Sequence, residues 1–104
     1  MKTIDITALE WFDKVNGNSY FAATVTLDFG TDQAQSFKLP YQYGYGDHYI
    51  DMAKKELDQK GLLPNLEHYS HGGSQSLWRY CKENGIILRT VKYTKCKKAE
   101  LKNI

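Results

Sequence analysis

The first half of the chain alternates between apolar and polar side chains with the period of two that is typical of β-strands. The clearest alternation lies in residues 19–30, where the apolar side chains occupy odd positions: Phe21, Ala23, Val25, Leu27 and Phe29. Residues 3–15 alternate too, but the apolar phase shifts by one residue at Leu9 and Trp11. The shift predicts a bulge, or a strand that is buried on both faces at its end. Asn16-Gly17 predicts a hairpin turn between these two strands.

A third strand is predicted over residues 36–45, and its large side chains also occupy odd positions: Phe37, Leu39, Tyr41, Tyr43 and Tyr45. Alternation places them on one face and favours an inward orientation for Tyr41 and Tyr43. Pro40 cannot donate a hydrogen bond to a neighbouring strand, so it predicts an edge strand or a bulge.

Helical spacing then replaces alternation. Asp47 is a suitable N-cap, and Ile50, Ala53 and Leu57 share one helical face before Gly61 ends the helix. A second, short helix over residues 77–84 is predicted to begin at a serine cap, Ser74 or Ser76, and to stop at Gly85. Residues 86–96 favour a last strand, and residues 97–104 are either helical or frayed.

The predicted order is β-β-β-α-α-β, in a single α+β domain spanning residues 1–104. We expect an antiparallel sheet of about four strands with the helices packed on one face. The other face would be partly solvated, and a face that carries tyrosine and threonine could pair with itself in a two-fold homodimer.

Composition adds limits to this picture. Hydrophobic residues make up 41% of the 104 residues and charged residues 25%, which is typical of a soluble globular protein. The sequence holds neither an apolar run of about 18 residues nor a signal-peptide pattern at its start, so we expect a cytoplasmic protein without a membrane partner. Cys81 and Cys96 do not form a disulfide framework.

Charge is distributed unevenly. Residues 79–104 carry eight basic and two acidic side chains, a net charge of +6, whereas residues 1–78 carry six basic and ten acidic side chains, a net charge of −4. A basic segment favours an anionic partner such as nucleic acid, or it is only a solvated edge that keeps the protein soluble.

The sequence contains only weak signals for a catalytic site or a metal site. His68 and His71, with Cys81 and Cys96, match no standard zinc spacing, and Gly72-Gly73 argues against a helix there. A thiol near the end of its helix, such as that of Cys81, is not activated by the helix dipole. The sequence therefore predicts no enzyme, no cofactor and no metal.

The turn Gly44-Tyr45-Gly46-Asp47 has two interpretations. A glycine-rich turn before a helix can cradle phosphate, which would suit a nucleotide binder, but Asp47 repels an anion and favours a cap beside His48. Exposed tyrosines there would be good anchors for a protein partner. We therefore predict partner-binding residues at the corner and in the basic last strand: Tyr43, Tyr45, His48, Tyr49, Arg89, Lys92, Lys95, Lys97 and Lys98.

Three segments, "EWFDKVNGNSYFAATV", "LPYQYGYGDHY" and "WRYCKENGI", resemble a group of small proteins encoded by bacteriophages and prophages. The resemblance spans residues 10 to about 96 and carries no catalytic signature. It implies an accessory protein that acts in the host cytoplasm by non-enzymatic binding and inhibits a host defence or nucleic-acid-handling protein. The alternative is direct nucleic-acid binding through the basic C-terminal strand.

Overall fold

The computed structural model describes residues 1–103 and gathers the alternating segments into one sheet. The strands are β1 (Thr3–Asp13), β2 (Asn18–Leu27), β3 (Gln35–Tyr43) and β4 (Ile87–Tyr93). The helices are α1 (His48–Gln59), α2 (Leu77–Glu83) and α3 (Lys98–Lys102). The sequence-based order of elements is confirmed, and the tail predicted as helical or frayed contains a short helix. Ile104, the last residue of that tail, lies outside the described residues.

The sheet is mixed, so the prediction of an antiparallel sheet is wrong for its last strand. The strand order is β3-β2-β1-β4. The first three strands form an antiparallel meander, but β4 pairs parallel to β1, with Ile4 opposite Leu88 and Ile6 opposite Thr90. The long connection between β3 and β4 returns the chain to the end of the sheet where β1 begins, which makes the parallel direction possible.

One face of the sheet, which we call the core face, carries the main hydrophobic core. Its buried strand residues are Ile4, Ile6, Ala8, Phe21, Ala23, Val25, Leu27 and Leu39. Helix α1 packs its predicted apolar face here, since Ile50, Ala53 and Leu57 are all buried. Helix α2 is capped by the Ser76 hydroxyl, which accepts a hydrogen bond from the Arg79 backbone N–H at 3.2 Å.

The opposite face, which we call the second face, is partly covered by α3. Leu101 is buried but lies outside the main core cluster, and α3 contacts β1, β2 and β3. The Nζ atom of Lys98 lies 5.5 Å from the ring centre of Trp11, which is on the opposite side of β1 from Ile6. Helices α1 and α2 both contribute to the core cluster, whereas α3 lies on the opposite face, so the prediction that the helices pack on one face is not confirmed for the whole set. Leu9 and Trp11 are half-buried on this face, and no bulge interrupts the pairing of β1 with β2.

A β-bulge at Pro40–Tyr41 redirects the tyrosines of β3. Phe21 pairs with Gln42 and Ala23 with Leu39, so two residues of β3 oppose one residue of β2. Because the extra residue reverses the alternation, the side chains after the bulge point to the other side. Tyr41 and Tyr43 consequently lie on the second face, and the predicted inward orientation is wrong. The prediction that Pro40 marks an edge strand or a bulge is confirmed, since β3 is both.

Candidate partner-binding surface

Three strands end at the same end of the sheet, because β1, β3 and β4 run in the same direction. The turn from β3 into α1 and the connection from β4 into α3 both lie there. Two hydrogen bonds tie them to the sheet: the Lys92 Nζ donates to the Gly46 carbonyl at 3.0 Å, and the Cys96 N–H donates to the Glu10 carbonyl at 3.0 Å. Topology thus brings together two segments that are about 50 residues apart in sequence.

Exposed aromatic rings concentrate at this end. We define the carboxyl-end surface by its exposed aromatic and basic side chains: Phe12, Tyr43, Tyr45, His48, Tyr93, Lys95, Lys97 and Lys98. Tyr45 is 70% exposed and Tyr43 57%, values that are high for tyrosine in a folded domain. The exposed rings in a polar surround match the composition of protein interfaces, in which aromatic residues are enriched.

A cleft of about 460 Å³ lies at the corner between β3 and α1. We call it the corner cleft, and it is lined by Tyr43, Gly44, Tyr45, Asp47, His48 and Asp51. Gly44 is buried there, and a Cβ atom on it would lie 2.6 Å from the His48 ring and 2.7 Å from the Phe21 ring. The His48 ring meets Phe21 edge to face, with 6.0 Å between the ring centres. Only glycine therefore lets the chain turn this closely over the core.

Asp47 occupies the N-cap position of α1, as predicted, but its side chain does not cap the helix. Asp51 lies one turn further along the same helix. Among the described residues, neither carboxylate has a basic side chain within 4.0 Å. The corner cleft therefore contains two carboxylates that are free to interact with a ligand.

A second cavity, of about 520 Å³, lies on the other side of the carboxyl-end surface. Its lining includes Trp11, Phe12, Lys14 and Lys95, so it combines aromatic rings with basic side chains. Lys95 adopts a positive φ of 63°, and the Cys96 thiol donates to the Tyr93 carbonyl at 3.3 Å. These contacts shape the connection that carries the exposed lysines.

Three stacked rings form a row across β1, β2 and β3 on the second face, which we call the aromatic row: Trp11, Tyr20 and Tyr41. The ring centres of Trp11 and Tyr20 are 5.6 Å apart, and those of Tyr20 and Tyr41 are 5.2 Å apart. The Nζ atom of Lys102 lies 5.7 Å from the Tyr41 ring centre, and burial raises the pKa of the Tyr41 hydroxyl. Because the rings cover one another and α3 covers them, the row is a second small core.

The predicted site residues fall into three groups. Tyr43, Tyr45 and His48 are exposed at the corner cleft, and Lys95, Lys97 and Lys98 are exposed after β4. Tyr49 is only 5% exposed, so its prediction as a surface residue is wrong. It faces inward because it lies four residues before the buried Ala53, on the same helical face.

Lys92 and Arg89 are engaged within the protein. Lys92 pairs with Glu10 at 3.3 Å, and its side chain is only 23% exposed. Arg89 lies in the middle of β4 on the second face, away from the carboxyl end, and donates two hydrogen bonds to Asp5, at 2.6 and 2.9 Å. The bidentate pairing raises the pKa of the Arg89 guanidinium. Neither side chain is free to bind a partner without breaking these contacts.

Phe12, Tyr93 and Asp51 also lie near the end of the sheet where β1, β3 and β4 finish, but they were not among the predicted site residues. Tyr93 occupies an odd position in β4, and its register with Leu9 places it on the second face. Phe12 follows Trp11 directly, so alternation alone would have placed the two rings on opposite faces. Only the strand order shows that the strands carrying Phe12 and Tyr93 end at the same end of the sheet as β3.

The cysteines and histidines do not converge on one site. Burial raises the pKa of the Cys81 thiol to about 11, so the thiol stays protonated at neutral pH. His68 lies 3.5 Å from Asp58, far along α1 from the corner. Across residues 1–103, no group of three or more histidine, cysteine or acidic side chains is placed to hold a metal ion.

The chain matches no protein-family model, no curated protein and no solved structure. Over residues 1–103, none of the helices has the length and apolar character needed to cross a membrane.

Proposed function

We propose that this protein acts by non-enzymatic binding and that it docks on a protein partner through the carboxyl-end surface. The resemblance to phage-encoded proteins points to a host defence or nucleic-acid-handling protein in the host cytoplasm as the partner, with inhibition as the outcome. The proposal rests on one observation: exposed tyrosines and phenylalanine gather with exposed lysines where three strands end. Large aromatic side chains supply most of the binding energy in protein interfaces.

The shape of this end suits docking. The corner cleft and the second cavity give the surface two concavities, each lined in part by an exposed aromatic ring, into which a partner can insert side chains. The positive charge of Lys95, Lys97 and Lys98 would speed the encounter with a partner that presents an acidic patch.

The test is affinity capture from lysate of the bacterial host, with the protein as bait. We expect the wild-type chain to retain one partner in stoichiometric amount and the double variant Tyr43→Ala/Tyr45→Ala to lose it. The control is Tyr69→Ala/Trp78→Ala, which removes two exposed aromatic side chains elsewhere on the protein. The proposal fails if no partner is retained, or if both double variants retain it equally.

Capture alone does not show inhibition. The purified partner should lose its activity when the protein is added at an equal molar ratio, and the Tyr43→Ala/Tyr45→Ala variant should leave that activity intact. A partner that keeps full activity in the complex would contradict the inhibitory part of the proposal.

Direct nucleic-acid binding is the second candidate, and the exposed lysines after β4 favour it. The rings of the aromatic row cover one another, so phosphate contacts rather than base stacking would supply the affinity. Binding should then fall steeply between about 50 mM and 200 mM salt. Lys95→Glu/Lys97→Glu should abolish it, whereas the control Lys54→Glu/Lys55→Glu on α1 should not. A chain that shifts no DNA or RNA at about 50 mM salt excludes this candidate.

A further inference from the structure

We infer that the corner cleft is a receptor for a cationic side chain, an arginine or a lysine, presented by the protein partner. The inference rests on the proposed function, because it names the chemistry by which that partner would be held. It also gives the corner cleft, with its two aspartates, a role separate from that of the exposed lysines of the carboxyl-end surface.

The lining of the cleft has the composition of a cation site. Tyr45 presents a ring that is mostly exposed, and a cation over the face of an aromatic ring is attracted by the ring quadrupole. The Tyr43 ring is also exposed, although it meets Tyr20 edge to face on the second face, with 5.9 Å between the ring centres. Asp47 and Asp51 add two negative charges on the neighbouring turn of α1, and the cleft lining contains no lysine or arginine. A guanidinium is planar, so it can stack on a tyrosine ring while it donates hydrogen bonds to a carboxylate.

The carboxylates are available for such a ligand. An aspartate at an N-cap ordinarily accepts a hydrogen bond from the first turn of its helix, but Asp47 does not. Its orientation toward the cleft therefore leaves its acceptor atoms open. Asp51 is exposed and forms no ion pair among the described residues.

Nearby positive features do not cancel this charge. Lys54 and Lys55 line a neighbouring cavity that also includes Asp51, but they lie outside the lining of the corner cleft and neither forms an ion pair with Asp51. The N-terminus of α1 carries about half a positive charge, which is less than the two full charges of the aspartates. Lys92 reaches the Gly46 carbonyl, but it is paired with Glu10 at 3.3 Å. The sign of the cleft is therefore negative, in contrast to the lysine-bearing connection on the other side of the same surface.

The volume suits the ligand. A cleft of about 460 Å³ accommodates the end of a long side chain together with ordered water. Gly44 forms part of its wall, and the His48 ring is held against Phe21, so this wall is already formed without a ligand. A preformed wall lowers the cost of ordering the site on binding.

The experiment uses two probes that differ in charge but not in shape: N-acetyl-arginine amide and its neutral counterpart, N-acetyl-citrulline amide. Each is titrated into the isotope-labelled protein while the ring resonances of Tyr43 and Tyr45 are followed by NMR. We expect the arginine probe to give saturable shifts at both rings and to bind at least about fivefold more tightly than the citrulline probe. Equal binding of the two probes, or no saturable shift with either, overturns the inference.

Asp47→Asn/Asp51→Asn removes the charge with little change in shape, and asparagine is also suited to an N-cap. We expect it to weaken binding of the arginine probe about tenfold. The control Asp32→Asn removes one charge at the opposite end of the sheet and should leave binding unchanged. If the two aspartate changes have no effect, the charge of the cleft does not select the ligand and the inference fails.

The two proposals can fail separately. If capture of the partner is lost with Tyr43→Ala/Tyr45→Ala but kept with Asp47→Asn/Asp51→Asn, the docking surface stands and the cationic ligand is wrong. If the arginine probe binds as expected but no partner is captured, the cation site stands and the proposed function is wrong.

Discussion

The two faces of the sheet are covered in different ways. On the core face, mainly aliphatic side chains from all three meander strands meet two helices, and eight of these strand residues are buried. On the second face, stacked aromatic rings meet one five-residue helix, and lysine side chains lie over the outer rings. The β4 side of this face stays open, with Ile87, Val91 and Tyr93 exposed.

The difference indicates that the core face stabilises the fold, whereas the second face presents groups that are available for recognition. The core face holds the fold together by burying apolar area, which is the main source of folding free energy. The second face contributes less, but it directs polar and aromatic groups toward solvent and toward the carboxyl end. The predicted homodimer through this face stays a prediction, and because α3 covers part of β1, β2 and β3, the open β4 side would have to supply its contacts.

The largest effect is expected on the core face. Phe21→Ala removes a ring that is 2% exposed, and it should lower the free energy of unfolding by about 3–5 kcal/mol because the ring leaves a cavity. Chemical denaturation monitored by circular dichroism measures this loss. A loss below about 1 kcal/mol would show that the core face does not dominate stability.

Leu101→Ala makes the corresponding change on the second face. Leu101 is 1% exposed, but we expect a loss of only about 2 kcal/mol, at the low end for leucine, since a five-residue helix can detach without opening the sheet. Hydrogen exchange should speed up in α3 and remain slow in β1 and β2. Global destabilisation equal to that of Phe21→Ala would contradict the difference between the faces.

Gly44→Ala tests the boundary between the core face and the corner cleft. The added Cβ would press on the Phe21 and His48 rings, and we expect a cost of about 1–3 kcal/mol, because the exposed His48 ring can move away but the buried Phe21 ring cannot. Ring resonances of Tyr43 and Tyr45 should shift as the wall of the cleft changes. The matched control is Gly30→Ala, where an added Cβ meets no atom within 4 Å and only the positive φ of 80° is strained.

The smallest effect is expected for the ion pair on the second face. Arg89→Gln removes the bidentate contact with Asp5, but both groups lie at the protein surface, so the thermal midpoint should change little. Added salt should reduce even this difference, because it screens exposed charges. Thermal unfolding at low and high salt measures it, and a drop as large as that of Leu101→Ala would assign the pair a structural role that exposed pairs rarely have.

Periodicity was enough to predict the core face. The alternating residues of β2 as far as Leu27 and the helical spacing of Ile50, Ala53 and Leu57 identify side chains that the structure buries. Phe29 continues the alternation in the sequence, but it lies beyond the end of β2 and is 69% exposed, so its predicted place on the apolar face is wrong. Gly61 ends α1 with a positive φ of 72°, as a residue without a side chain allows. These features depend on local geometry, so a single sequence contains them.

Prediction of the second face would have required information that local sequence patterns lack. The proline in β3 was compatible with either an edge or a bulge, and only the bulge reverses the side on which Tyr41 and Tyr43 lie. The direction of β4 follows from which end of the sheet the long connection reaches, which alternation within the strand does not encode. The candidate site was therefore predicted as residue types near one corner, while their assembly with Phe12 and Tyr93 was not.

The parallel pairing of β4 with β1 also sets the order of events during synthesis. Asp5 and Arg89 are 84 positions apart, so the ribosome must release nearly the whole of the described chain before these strands can meet. The meander of β1, β2 and β3 needs only short-range pairing and can form much earlier. Until β4 arrives, the outer edge of β1 is an unprotected strand edge in the nascent chain. The closure of the first strand by the last therefore waits until late in synthesis, and the same pairing brings the end of β4 to the carboxyl-end surface.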